Sequence, residues 1–325
     1  MEAGDASGTG FLDIRQRRWS APMLAAIDPQ RDLLECLPEL RLDSGVIGPL
    51  RETLAHQLGL PAGIPVATGG GDNMMAAIGT GNVAAGAVTI SLGTSGTVYA
   101  YSDVPVIDPL GNIAAFCSST GGWLPLMCTM NCTVTTELLR GLLNTDIASF
   151  EAQISRAPRG ADGVLTLPFF NGERTPNLPR AKACIVGLDA HNMRPENLLR
   201  SGVEGATFAL RYGIDELRGL GIETAQVMLT GGGVKSAKWR QIVADICAAP
   251  VTVFHQDEGA SFGAALQALH VLEGGVAGEL PELVAAHLSR NEPLCCEPRS
   301  AAVHFYADAY RDYRAAVDAV SALYT

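Results

Sequence analysis

The stretch that decides the fold is Val88-Thr89-Ile90-Ser91-Leu92-Gly93-Thr94-Ser95-Gly96-Thr97-Val98-Tyr99-Ala100. Two β-rich runs flank a short turn that contains glycine and hydroxyl residues, and this pattern predicts a β-hairpin. Successive backbone N–H groups in such a turn can form a concave site for phosphate, to which hydroxyl side chains add donors. Taken alone, a simple hairpin loop explains the pattern better, so the neighbouring sequence has to decide.

A second glycine cluster lies before the hairpin. The β-rich residues 64–68 lead into Gly69-Gly70-Gly71, and a helix is predicted to begin at Asp72. Aspartate is among the best helix N-caps, which is the simplest explanation of Asp72. The three glycines leave its surroundings open to a ligand, however, and Asn73 adds a second hydrogen-bonding side chain. A carboxylate in this position could accept a proton from a substrate hydroxyl group.

A third glycine cluster follows the β-rich residues 227–230. It consists of Gly231-Gly232-Gly233, and a helix is predicted from about Ser236 because apolar residues then recur at helical spacing. Glycines before a helix let a ligand approach the backbone closely, and the amino end of the helix favours an anion. The simpler interpretation is a tight connection between a strand and a helix.

The rest of the chain repeats the alternation of strands and helices. A strand is predicted over residues 251–254, a helix from about Gly259, and a final helix with a tyrosine stripe at Tyr306, Tyr310 and Tyr313. Glycine and proline recur along residues 160–179, which are therefore predicted to be loop-rich, as a linker or a functional loop. The fold class is therefore α/β, with a sheet that the hairpin makes mixed.

Composition restricts the partners of this 325-residue chain. Aspartate and glutamate number 34 against 23 lysines and arginines, a net charge of -11, which argues against nucleic acid or an anionic membrane. An anion such as ATP must then be held by backbone amides, helix ends and a metal ion. The amino terminus lacks the apolar core of a signal peptide, and the apolar runs are too short to span a bilayer. The eight cysteines have no zinc-site spacing, so we expect reduced thiols and a cytoplasmic location.

In their order along the chain, the three clusters resemble motifs of the FGGY carbohydrate kinases. Gly70-Gly71-Asp72-Asn73 matches the catalytic aspartate motif of that family, and residues 91–96 match its phosphate hairpin. Residues 229–233 with Lys235 and Ser236 match its adenosine motif. The resemblance implies an actin-like ATPase fold, which is built from two ribonuclease H-like domains.

The resemblance also implies roles for individual residues. Asp72 would be the general base, and Asn73 would contact the sugar. ATP with Mg²⁺ would be the phosphoryl donor, and the resemblance does not identify the metal ligands. The glycines and polar residues of the other two clusters would contact the nucleotide: Gly93, Thr94 and Ser95 at the phosphates, and Gly231, Gly232, Gly233, Lys235 and Ser236 at the adenosine.

One loop points to the sugar. Gly172-Glu173-Arg174-Thr175-Pro176 is similar to the corresponding loop of xylulokinases, which implies phosphorylation of D-xylulose to xylulose 5-phosphate. Gluconate kinases are the next most similar and remain an alternative. We assign Glu173 and Arg174 no catalytic role at this stage, and an ion pair that fixes the loop is their simplest role.

The family begins with a strand that carries an Asp-x-Gly-Thr motif, which we do not find. Asp5-Ala6-Ser7-Gly8-Thr9 has only Met1 to Gly4 before it, too few residues for that strand. We therefore expect residues 1–80 to be a remnant of the first, sugar-binding domain and residues 81–325 to be the complete nucleotide-binding domain. The last helix is a candidate to pack back on the first domain.

Such a truncated chain is expected to have negligible kinase activity alone, with weak nucleotide binding. Apolar surface on residues 1–80 would favour self-association, and a homodimer is the candidate assembly. Two other classes stay open, an actin- or chaperone-like ATPase and a non-catalytic fragment that acts on a partner. Gly71-Asp72-Asn73 and residues 173–176 favour the sugar kinase over the first of these.

Overall fold

A computed structural model describes residues 1–41, 45–256, 259–275 and 279–324. The helices are α1 (Ala3–Ser7), α2 (Ala21–Ile27), α3 (Glu52–Leu58), α4 (Asp72–Gly79), α5 (Thr133–Leu142), α6 (Ile147–Arg156), α7 (Pro195–Gly219), α8 (Ala237–Cys247), α9 (Gly259–Leu272), α10 (Leu280–His287) and α11 (Ser300–Ser321). The strands are β1 (Leu12–Asp13), β2 (Arg18–Trp19), β3 (Val46–Pro49), β4 (Pro65–Ala67), β5 (Gly86–Leu92), β6 (Gly96–Ala100), β7 (Leu126–Thr129), β8 (Leu165–Leu167), β9 (Cys184–Val186), β10 (Thr224–Thr230) and β11 (Val251–Thr252). Among the described residues, no helix has the length and apolar character needed to cross a membrane.

A five-stranded sheet in the order β11-β10-β5-β6-β7 forms the centre of the fold. Strand β10 runs parallel to both β11 and β5, whereas β5, β6 and β7 form an antiparallel meander. The predicted hairpin is confirmed, with Leu92 paired to Gly96 across the turn. The mixed sheet of an α/β fold is confirmed as well.

One face of this sheet is covered by the long helix α7. Val88, Ile90 and Leu92 alternate along β5 and are fully buried on this face, as a half-buried strand requires. Phe208 of α7 packs against the tyrosine stripe of α11, with its ring centroid 5.3 Å from that of Tyr313. The buried side of α11 therefore belongs to the sheet region, and its packing back on residues 1–80 stays a prediction.

A buried polar cluster joins α7 to α11. The Arg200 guanidinium lies 2.7 Å from the Glu204 carboxylate, and the Tyr306 hydroxyl donates a 2.6 Å hydrogen bond to the same carboxylate. Burial raises the pKa of Glu204, an effect that the Arg200 charge opposes. Because both charged side chains are almost fully buried, each depends on the other for its stability inside the protein.

The opposite face of the sheet is covered by α4 and α9, which cross at glycines. A side-chain carbon added at Gly263 would collide with the carbonyl of Met75, and one added at Gly79 would collide with that of Gly259. Below this crossing, the Asn82 amide donates 3.0 Å hydrogen bonds to the Thr89 hydroxyl and to the carbonyl of Tyr99. The helix that begins at Asp72 is therefore fixed to α9 and to the central sheet.

Residues 1–67 form smaller units. Strands β1 and β2 pair only with each other, and so do β3 and β4. The segment Asp5 to Thr9, which was compared with the Asp-x-Gly-Thr motif, is not a strand, since α1 spans Ala3–Ser7. Several apolar side chains are exposed here: Met23, Ile27, Leu34, Val46, Ile47, Leu54, Leu58 and Leu60.

One local prediction needs correction: the strand expected over residues 251–254 is limited to Val251–Thr252. Residues 160–179 are loop-rich, as predicted, and contain a short 3₁₀ turn (Ala161–Gly163) and β8, which pairs with β9. The eight cysteines form no disulfide in the structure, and their reduced state stays a prediction.

Candidate functional site

The hairpin turn Gly93–Ser95 is anchored by the start of α5. The backbone N–H of Cys132 donates to the carbonyl of Thr94 at 3.0 Å, and that of Thr133 donates to the carbonyl of Gly93 at 2.9 Å. These bonds engage carbonyl oxygens of the turn, while Thr94 and Ser95 are exposed. The turn is thus rigidly held and still accessible to a ligand.

A row of small polar side chains crosses the sheet near this turn. Register pairs Thr230 with Ser91, Ser91 with Thr97, and Thr97 with Cys128. Side chains at paired positions share one face of a sheet, so these four half-buried residues lie side by side. Three interstrand steps make the row about 14 Å long. The Thr97 hydroxyl is buried and has no hydrogen-bond partner among the described residues.

A cavity of about 710 Å³ opens at the Thr230 end of the row. Gly231, Gly232 and Lys235 line it, so the structure brings together three of the residues predicted to contact adenosine. The carboxyl end of α4 also contributes, through Gly79 and Thr80. Arg240, which follows the predicted adenosine residues, lines it too. A further group of lining residues was not anticipated from the sequence: Phe254, Gln256, Asn291 and Leu294.

The glycines of the third cluster bring the cavity against the hairpin. Gly231 has a φ of +91°, and a side-chain carbon there would lie 2.8 Å from the carbonyl carbon of Leu92. Gly233 is buried, and a carbon added to it would lie 2.7 Å from Cβ of Leu92. Only glycine satisfies both the backbone conformation and the close approach at position 231.

Two predicted adenosine contacts lie elsewhere. Gly233 faces Leu92 and is not among the described residues that line the cavity. The Ser236 hydroxyl caps α8 by accepting the Trp239 N–H at 3.0 Å, and it donates to Glu151 at 2.6 Å. These two residues shape the turn and start the helix, and they are absent from the described lining of the cavity.

Asp72 is exposed at the start of α4, at the other end of the site. The N-cap of the helix is Gly71, so capping by Asp72 is not what the structure shows. The Asp72 carboxylate accepts the backbone N–H of Asn73 at 2.7 Å and its side-chain amide at 3.1 Å. Asn73 therefore orients the carboxylate, which leaves the other carboxylate oxygen available to a ligand.

Residues near the amino terminus lie close to Gly70 and Gly71, a proximity that no local sequence pattern indicates. A side-chain carbon added at Gly71 would lie 3.6 Å from the Asp5 carboxylate, and one at Gly70 would collide with Ser119. The Glu2 carboxylate accepts the backbone N–H groups of Gly4 and Asp5, at 2.7 and 3.0 Å. Burial raises the pKa of Glu2. The Asp5 carboxylate therefore lies close to Gly71, the residue that directly precedes Asp72.

The loop that contains Glu173 is attached to the end of β7. Glu173 is buried, and its carboxylate accepts hydrogen bonds from the N–H of Met130 at 2.7 Å, the amide of Asn131 at 3.2 Å and the N–H of Arg174 at 2.8 Å. Burial raises the pKa of this carboxyl, and the three donors oppose the rise. The expected ion pair with Arg174 is not among the ion pairs of the described residues.

The fit to a metal ion is limited. Within the described ranges, no group of three histidine, cysteine, aspartate or glutamate side chains converges as a metal site would require. Near Gly71, the carboxylates that could contact a metal ion are those of Asp5 and Asp72.

Two family models match the sequence. The model for the N-terminal domain of the FGGY family of carbohydrate kinases matches residues 1–79, and the model for the C-terminal domain matches residues 88–272. A xylulose kinase of Haemophilus influenzae is 44% identical over 312 residues, which cover 96% of this chain and 63% of that protein. A xylulose kinase of Escherichia coli is 38% identical over 250 residues, which cover 75% of this chain and 50% of that protein.

Solved structures give the same fold. A structure described as a xyloylose kinase from Brucella ovis superimposes with a TM-score of 0.88 at 29% identity, covering 99% of this chain and 65% of that one. A gluconate kinase from Lactobacillus acidophilus superimposes with a TM-score of 0.90 at 22% identity, which indicates a shared fold and no more. This chain spans less than two thirds of the length of each of these proteins.

Proposed function

Because this chain belongs to the FGGY family of carbohydrate kinases, we propose that it carries the general base and the nucleotide side of an ATP-dependent kinase for D-xylulose. The reaction converts ATP and D-xylulose to ADP, xylulose 5-phosphate and a proton. The observation that supports this most is the polar row of Thr230, Ser91, Thr97 and Cys128. It connects a nucleotide-sized cavity to an exposed, oriented carboxylate.

In this proposal the adenosine of ATP occupies the cavity at Gly231, Gly232 and Lys235. The triphosphate then lies along the row and against the turn Gly93–Ser95, where backbone amides and hydroxyl groups supply donors without net charge. Mg²⁺ would accompany the phosphates and supply charge neutralisation. The main task of the protein residues is to position the triphosphate and the sugar hydroxyl, because phosphoryl transfer depends chiefly on positioning and charge stabilisation.

Asp72 acts at the far end of the row. The terminal hydroxyl of the sugar donates a hydrogen bond to the free carboxylate oxygen, and its proton passes to Asp72 as the phosphoryl group arrives. Asn73 keeps the carboxylate oriented and contacts the sugar. Asp5, which lies close to Gly71, accepts a hydrogen bond from another sugar hydroxyl.

The remaining parts of the proposal concern the surroundings of the chain. Residues 1–80 contribute to the sugar site, and residues 81–325 bind the nucleotide. Helix α4 lies within residues 1–80 but packs on α9 of the nucleotide-binding part. A cytoplasmic location and a homodimer stay predictions.

The test is a coupled assay of ADP release on the gene product isolated from its own cells. D-Xylulose is expected to give the highest kcat/KM among D-xylulose, gluconate, ribulose and glycerol. A higher value with gluconate would contradict the sugar assignment and retain the kinase. ATP hydrolysis that no sugar stimulates would instead favour an actin- or chaperone-like ATPase.

A further inference from the structure

Arg174 is held in a defined place by the buried residue that precedes it. The carboxylate of Glu173 binds the backbone of both Met130 and Arg174, so the backbone of Arg174 is fixed next to the end of β7. The segment that follows Met130 contacts the phosphate hairpin, since the N–H of Cys132 donates to the carbonyl of Thr94. The Arg174 side chain itself is exposed.

The same side chain lies at the Cys128 end of the polar row. Burial raises the pKa of the Cys128 thiol, and the charge and hydrogen bond of Arg174 oppose this rise, whereas the charge of Asp72 adds to it. Cys128 also packs against the cluster that contains Met74 and Met75 of α4. Arg174 and Asp72 therefore both lie close to Cys128, one from the loop and one from the helix.

Apart from its contact with the Cys128 thiol, the Arg174 side chain has no ion-pair partner among the described residues that would explain this placement. The carboxylate beside it, Glu173, accepts three N–H donors and forms no ion pair with Arg174 among the described residues. Among the ion pairs between described residues, none includes Arg174. A cation thus stands beside the reacting end of the site in a protein whose net charge is -11.

We propose that Arg174 binds the γ-phosphoryl group of ATP at the Cys128 end of the polar row. The inference rests on the proposed function, because it assumes that ATP lies along the polar row. A guanidinium group offers two parallel N–H donors that match the oxygens of a phosphoryl group. Charge that is positioned in advance at the transferring group stabilises the transition state of phosphoryl transfer.

Equilibrium binding of ATP and ADP to the purified protein tests this assignment. Arg174→Gln is expected to weaken ATP binding about 10- to 100-fold, since a hydrogen bond to a charged group contributes that much. ADP binding should stay unchanged, because ADP lacks the γ-phosphoryl group. Arg174→Lys should give an intermediate loss of ATP affinity, because it keeps the charge and loses the fork. The matched control is Arg180→Gln, an exposed arginine of the same segment, which should change neither affinity.

Equal weakening of ATP and ADP by Arg174→Gln, or no weakening of either, would overturn the assignment while the proposed function stood. A parent protein that bound neither nucleotide would overturn the proposed function and this inference together. The ratio of the two affinities is the decisive quantity, because a loss of loop structure would lower both.

Discussion

Residues 1–67 and the five-stranded sheet are stabilised in different ways. In the first region the strands pair only two by two, and few side chains, such as Leu24 and Ala55, are buried. In the second, β5 alone buries Val88, Ile90 and Leu92 completely. An isolated two-stranded sheet is marginally stable in water, whereas a sheet covered by helices on both faces is not.

This difference matters for the candidate site, because it shows which of the two regions supports Asp72. Asp72 lies shortly after residues 1–67 in sequence, and the sequence-based division at residue 80 placed it in the first domain. Its helix nevertheless packs on α9 through Gly79 and Gly263, and so the proposed base is supported by the central sheet. The nucleotide cavity and the carboxylate therefore belong to one packed unit.

The largest expected effect comes from the buried charge cluster of the sheet region. Glu204→Ala leaves the Arg200 guanidinium buried without its carboxylate, and the free energy of unfolding should fall by about 3–5 kcal/mol. Urea unfolding followed by circular dichroism measures this. Glu137→Ala removes an exposed partner of Arg140 and should cost about 1 kcal/mol or less. Equal losses for the two variants would contradict the proposed importance of the buried cluster.

The contact between α4 and α9 gives the next largest effect. Gly263→Ala places a methyl group against the carbonyl of Met75, and this overpacking should lower the free energy of unfolding by about 1–3 kcal/mol. Gly141→Ala is the control, because it lies in α5 with open space around the added carbon, and it should stabilise the protein by about 0.5–1 kcal/mol. If Gly263→Ala were also stabilising, α4 would not be fixed to α9 as described.

Substitutions of exposed apolar residues in residues 1–67 should change self-association and leave the free energy of unfolding nearly unchanged. Leu54 and Leu58 lie on one face of α3 and are 43% and 59% exposed. Replacing both with glutamine should change the free energy of unfolding by about 0.5 kcal/mol or less. The same change should weaken self-association in sedimentation equilibrium, since it removes exposed apolar area. Leu142→Gln, at an exposed leucine of the sheet region, is the control, and a similar loss of association there would contradict the special role of the first region.

Local patterns predicted the elements whose signals lie within a few residues. The hairpin around Gly93 and the helix after Gly231 were predicted correctly, because a turn with flanking β-rich runs and an apolar stripe are both short-range features. The α/β class followed from their alternation.

Contacts between distant segments were not predictable in this way. The pairing of Gly79 with Gly259 and Gly263 joins positions far apart in sequence, and a glycine in isolation does not indicate which helix will approach it. Similarly, Glu173 and Arg174 are adjacent charged residues in sequence. Contacts with the distant residues Met130 and Asn131 make Glu173 a buried anchor, while Arg174 stays exposed.

The most direct test of the account is turnover by Asp72→Asn in the gene product isolated from its own cells, measured with D-xylulose and ATP. The asparagine keeps the size of the side chain and loses the base, so kcat should fall by about 100-fold or more. ATP affinity should stay within twofold of the parent value, since the cavity lies at the other end of the polar row. Turnover near that of the parent protein would contradict the role of Asp72 and, with it, the central claim.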